Sequence, residues 1–113
     1  MQAFHYTTVA PVAMAGQEGV SLRWVMSKNV DAPTFAMRVI DLEPGAQTEH
    51  HSHDWEHEVF VLEGQGVAVD PTGKNTPIGP GTCVYVAPNE IHHFTNTGDD
   101  VLRFICVIPN PKA

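Results

Sequence analysis

Seven of the 113 residues are histidines, and four of them, His50, His51, His53 and His57, fall within eight positions of one another. Two more, His92 and His93, follow about 35 residues later. Neutral imidazole binds divalent metals, with the ligating nitrogen about 2.1 Å from the ion. His51 and His53 are two residues apart. On an extended chain such residues point to one face, roughly 6.5–7 Å apart along the strand, so both can reach the same ion. His50 and Ser52 then point the other way. His57 follows the three-residue connection Asp54-Trp55-Glu56 and can return from the adjoining strand. His92 opens a later strand and supplies a fourth nitrogen if that strand is a spatial neighbour. The spacing thus predicts one metal held by His51, His53, His57 and His92. The competing reading, a solvated polar edge, is the ordinary one for a lone histidine and is kept for His5, His50 and His93; His93 could also sit behind a ligand.

These side chains need a scaffold that brings two distant stretches together. Nine Gly and nine Pro punctuate short apolar runs, a rhythm of strands and turns with no sustained helical period. Strands are expected at 4–9, 21–27, 34–42, 47–53, 58–62, 67–70, 82–86, 91–95 and 101–108. Glu43-Pro44-Gly45, Glu63 to Gly66, Pro71 to Lys74 and Ile78 to Gly81 are turns. About ten short strands make an all-β sandwich or barrel. A weak echo of Pro-Gly followed by His, near 43–53 and again near 79–92, fits two Greek-key halves.

Alternation also nominates the walls. Phe35, Met37 and Val39 share one face of their strand and Arg38 lies on the other. Phe60, Phe94, Phe104 and Ile108 join them as candidate walls, with core packing as the simpler role for each. Cys106 shares a face with Leu102, Phe104 and Ile108, opposite Arg103, so its thiol should point inward. Beside a redox metal it would be open to oxidation. Trp55, between ligands, covers the site or packs on a partner subunit. Glu49, Asp54, Glu56 and Glu58 surround the ligands; they either accept hydrogen bonds from ligand imidazoles or are solvated surface charge, and the sequence leaves both open.

Composition excludes several classes of partner. The net charge is −7 and the six Lys and Arg are scattered, which argues against nucleic acid and anionic membrane. No apolar run approaches the roughly 20 residues of a bilayer span. The start Met-Gln-Ala-Phe-His-Tyr does not read as a signal peptide. Two cysteines, Cys83 and Cys106, are too few for a secreted disulfide framework. One domain over 1–113, cytoplasmic and with reduced thiols, is expected.

The histidine stretch resembles the first motif of the cupin superfamily, Gly-x5-His-x-His-x3/4-Glu-x6-Gly. Gly45 is followed by five residues and then His51 and His53. His57 stands where the glutamate is counted after three residues, and Gly64 is then in register. The second motif, Gly-x5-Pro-x-Gly-x2-His-x3-Asn, is matched by Gly81, His92 and Asn96, with Ala87 in the Pro place and Asn89 in the Gly place. Asn tolerates the left-handed conformation that Gly adopts there. The resemblance covers residues 21–108. The stretch His-Ser-His-x-Trp-Glu-His-Glu is similar to that of small single-domain bacterial cupins with a four-histidine site. It implies a conical double-stranded β-helix (jelly-roll-like) barrel, a metal at its wider mouth and a homodimer. Segment 1–20, being terminal, is available to pair with the partner subunit.

The metal is read in two ways. Ligand preference places imidazole with Zn, Cu, Fe and Ni, and Mn with oxygen; the resemblance implies Mn or Fe, which are favoured here. Four neutral imidazoles leave the ion's full double charge, whereas a glutamate in place of His57 would halve it. Such a centre favours an anionic small molecule. A six-coordinate ion would keep two positions open, for a bidentate substrate or for one substrate atom and O2 or peroxide. The leading expectation is a metal-dependent, dioxygenase-like oxidoreductase. The alternatives are a non-redox isomerase or lyase using the metal as a Lewis acid, and a non-catalytic binding module. Because the ligands must be neutral, affinity should fall below pH of roughly 6.5.

Overall fold

Most of the expected strands form, and they pair into two antiparallel sheets. A computed structural model describes residues 1–111; Lys112 and Ala113, the end of the expected domain, lie outside the described residues. The strands are β1 (Val12–Ala13), β2 (Val20–Met26), β3 (Phe35–Leu42), β4 (His57–Glu63), β5 (Gly66–Val69), β6 (Asn75–Ile78), β7 (Cys83–Val86), β8 (His93–Asn96) and β9 (Leu102–Pro109). The larger sheet has the order β1-β2-β3-β9-β4-β7, and the smaller one β6-β5-β8. The all-β barrel of jelly-roll type expected from the sequence is the fold observed. No helix among the described residues is long and apolar enough to cross a membrane.

Two expected strands are absent as such. In segment 4–9, Tyr6–Thr8 is a 3-10 turn: the His5 ring accepts the Thr7 N–H, and the Thr8 hydroxyl donates to the His5 carbonyl. Side chains that bond their own backbone draw a segment away from sheet pairing. Residues 47–53 form no continuous strand; isolated bridges join Gln47 to Thr95 and His51 to His92, and between them Thr48 N–H donates to the Phe94 carbonyl at 2.9 Å while the Thr48 hydroxyl accepts from Phe94 N–H. That is enough to fix the positions of the histidines without a continuous ladder.

The core lies between the sheets. On β9, Leu102, Phe104, Cys106 and Ile108 are buried in strict alternation, as expected. On β3 the inward set is Ala36, Arg38, Ile40 and Leu42. The face expected to line the site, Phe35, Met37 and Val39, is the outer one: Phe35 is 69% exposed, and Val39, though buried, is not part of the core cluster between the sheets. Register explains the assignment, because Arg38 pairs with Cys106 and Ile40 with Phe104 on β9, and directly paired residues share a face. Phe60 likewise points outward, paired with Ile105 and Cys83. Gly64, which closes the first histidine motif, has φ 88°, and a Cβ there would collide with the Val101 carbonyl. Asn89 takes φ 67° in the second motif, the left-handed conformation anticipated for it.

Candidate functional site

The four histidines selected by spacing lie together. His51 and His92 face each other across an antiparallel bridge, His51 N–H donating to the His92 carbonyl at 3.3 Å and His92 N–H returning to His51 at 3.0 Å. His57 is the first residue of β4, which places it beside β9 and β7. The rings form a closed circuit. Centroids are 4.5 Å apart for His51–His53, 5.3 Å for His53–His57, 5.1 Å for His57–His92 and 5.2 Å for His92–His51. Two imidazoles sharing an ion at about 2.1 Å per nitrogen have centroids roughly 4.6 Å apart at a right angle and roughly 5.3 Å at a tetrahedral one. The observed spacings span that range. Among the described residues, no group of three or more His, Cys, Asp or Glu side chains is placed so that it could hold a metal ion as it stands. The rings surround a common space rather than meeting at a point.

Hydrogen bonding indicates which nitrogens face that space. His51 Nδ1 bonds the Glu49 carbonyl, and His92 Nδ1 bonds the Glu90 carbonyl at 2.8 Å. A carbonyl only accepts, so both rings carry their proton on Nδ1 and present an Nε2 lone pair. His57 Nδ1 lies 3.3 Å from Cys106 Sγ and 3.5 Å from Arg38 Nη2, while its Nε2 is buried with no partner. If Nδ1–H donates to sulfur, Nε2 is a lone pair awaiting a ligand. If Arg38 donates to Nδ1, Nε2–H is a buried donor with nothing to meet, a costly arrangement. The first assignment is the better one. The tautomers of His51 and His92 are thus set by backbone carbonyls two residues upstream. Among the described residues, no carboxylate of Glu49, Asp54, Glu56 or Glu58 bonds a ring of the circuit, and of the four only Glu49 lines the cavity beside it.

The surroundings of three of the rings favour their neutral form. Burial pushes His57 down to about 3, with the Arg38 charge as the next cause. Burial also lowers His92, and lowers His53 together with its neighbour His51. Protons therefore compete with a metal for these three nitrogens only at lower pH than for a free imidazole, below the roughly 6.5 expected from the sequence.

A cavity of about 250 Å³ opens onto the four rings and is lined also by Arg38, Ile40, Glu49, Trp55, Phe94, Phe104, Cys106 and Ile108. Three expected walls, Phe94, Phe104 and Ile108, are present; Phe35, Met37, Val39 and Phe60 are not. Trp55 stacks on His53 at 4.4 Å with the rings 7° from parallel, so it covers the site. Cys106 points inward, and burial raises its thiol. His50 and His93 face away, and their Nδ1 atoms meet at 2.7 Å outside the circuit. Wider depressions of about 670 and 730 Å³ flank the loops around Gly16 and Gly45. None of the four circuit histidines lines them. Sequence reasoning missed Arg38; the only available signal was a lone cation set between apolar neighbours, Met37 and Val39.

Comparison with known proteins gives the family. The cupin domain family model matches residues 38–108, and the chain belongs to that family. An oxalate-binding protein of Thermotoga maritima is 38% identical over 100 residues, covering 84% of this chain and 80% of that protein. The polyketide cyclase RemF of Streptomyces resistomycificus superposes with a TM-score of 0.90 at 30% identity, over 98% of this chain and 80% of that one. A structure described as a predicted oxalate decarboxylase from Thermotoga maritima superposes with a TM-score of 0.83 at 28% identity, over 97% and 100%.

Proposed function

We propose that this cupin is a single-domain, metal-dependent enzyme acting on a small organic acid or enolate, with His51, His53, His57 and His92 as the metal ligands. The observation that carries the reading is His57 Nε2, a buried nitrogen without a partner, in a circuit where backbone carbonyls anchor the His51 and His92 rings. Manganese or iron is favoured, with zinc, copper or nickel compatible with an all-imidazole set. A divalent ion held there would supply Lewis-acid polarisation of a ligand oxygen. The chain's own residues do the rest. The Glu49 and Glu90 carbonyls orient two rings, Trp55 shields His53, and Phe94, Phe104 and Ile108 exclude water from one side of the ligand.

Non-redox chemistry of the lyase, isomerase or cyclase kind is the favoured reaction class. The relatives named above are described by oxalate and by polyketide cyclisation, both rich in carboxylate or enolate oxygens; none is described as an oxygenase. The dioxygenase-like reaction expected from the sequence is the second reading, supported by the apolar walls beside the rings, which suit O2. Incubating the metal-loaded protein with a panel of small organic acids, followed by proton NMR and an oxygen electrode, separates these. Substrate consumed without oxygen uptake is the expected result. Oxygen uptake matched to consumption would favour the second reading, and neither would leave a binding module.

The homodimer is proposed on the outer face of the larger sheet. Phe35, Phe60 and Tyr85 are exposed there, an apolar face that a second copy would cover.

A further inference from the structure

Arg38 is the one guanidinium or ammonium group lining the histidine cavity, and its bonding is incomplete. Its Nη2 donates to Cys106 Sγ at 3.0 Å and lies near His57 Nδ1. Its Nε is buried and has no partner. Its Cζ lies 5.5 Å from the centroid of the Trp24 ring, which holds the planar group in place. No ion pair joins it to any carboxylate among the described residues; both ion pairs there belong to Arg103. The contrast with Arg103 is instructive. That residue, on β9, grips Asp41 through Nε and Nη2 at 2.8 and 3.1 Å and Glu63 through Nη1 at 2.8 Å. The same chemical group is fully paired outside the barrel and left short of an anion inside it.

A half-buried guanidinium with no carboxylate partner is unfavourable unless an anion completes it. Glu49, the one carboxylate lining the cavity, is exposed and its backbone is tied to Gln17. We propose that Arg38 is the carboxylate-binding residue of the cavity and that the ligand is a small dicarboxylic acid. This rests on the reading of the four histidines as a metal centre. One oxyanion of the ligand faces the histidines, so only a second one can meet Arg38. The volume agrees: 250 Å³ is the space of roughly eight waters at about 30 Å³ each, enough for a short-chain diacid.

Isothermal titration of the manganese-loaded protein with malonate, succinate and acetate tests this. Wild type should bind a diacid at least about tenfold more tightly than acetate, and R38M should lose that preference while still loading manganese, since charged hydrogen bonds carry the difference. R38K, which keeps the charge but not the planar fork, should fall between. Equal preference in wild type and a folded, manganese-loaded R38M overturns the proposal. A second measurement does not depend on the variants or the metal. In metal-free wild type the Arg38 Nε–H resonance should shift on adding malonate and not on adding acetamide. If the chain takes up no metal, the four-histidine reading fails by itself, and this resonance decides the arginine: an unmoved signal overturns the proposal.

Discussion

The two ends of the barrel handle buried polar groups in opposite ways. At the end built around Leu42, Val61 and Leu102, each with no solvent exposure, the one buried polar side chain is Asn96. Its amide donates to the Leu42 and Asp100 carbonyls at 2.9 and 2.8 Å, and its oxygen accepts from Gly98 N–H at 2.9 Å. At the histidine end, His57 Nε2 and Arg38 Nε have no partner at all. A satisfied buried group stabilises a fold; an unsatisfied one costs stability and persists where a ligand completes it. The closed end is therefore assigned to folding and the histidine end to binding.

The comparison would break if mutations at the two ends gave the same phenotype. The largest effect is expected for His57→Ala: metal affinity should fall by more than the roughly 10–100-fold that partners behind a ligand usually cost, measured by competition with a chelating dye. The thermal stability of the metal-free protein should change little, because an unpaired buried nitrogen is removed. Asn96→Ala should do the reverse. It leaves the Leu42 and Asp100 carbonyls and the Gly98 N–H short of a partner, at a cost of about 2–4 kcal/mol, read in urea unfolding, with metal affinity retained.

Acid sharpens the contrast further. An unfolded His57 takes up a proton below about pH 6.5, whereas the folded one resists until about 3. Between these values unfolding binds a proton, so the metal-free protein should lose stability as pH falls through that window. His57→Ala should flatten the slope of the urea midpoint against pH; an unchanged slope would place the acid sensitivity elsewhere. The smallest effect is expected for His50→Ala, which should alter metal affinity less than about twofold and stability by less than about 0.5 kcal/mol. An effect equal to that of His57→Ala would defeat the assignment of His50 to the outer side.

Much of this was legible in the sequence, because spacing translates directly into facing. His51 and His53 share a side, His50 and His93 do not, and Cys106 follows its apolar neighbours inward. The failure on β3 has a physical reason. Its residues, Phe-Ala-Met-Arg-Val-Ile-Asp-Leu, offer apolar side chains to both faces, and alternation alone puts the charged Arg38 outside. The fold puts it inside, opposite Cys106. Local rules fail most readily at functional positions, and Arg38 is where the structure departs most from them. The orienting carbonyls of Glu49 and Glu90 were also hidden, since backbone partners leave no mark on residue type. Segment 47–53 read as a strand because its histidines alternate, yet isolated bridges and the Thr48 hydrogen bonds to Phe94 hold it without a ladder.

The central claim is that the circuit of four imidazoles holds one metal ion per chain. Elemental mass spectrometry of untagged wild-type protein beside His57→Ala tests it most directly. One equivalent of manganese or iron in wild type and a clear deficit in the variant is the predicted result. Equal metal content in the two proteins, or none in wild type after reconstitution with manganese, iron and zinc, would contradict it.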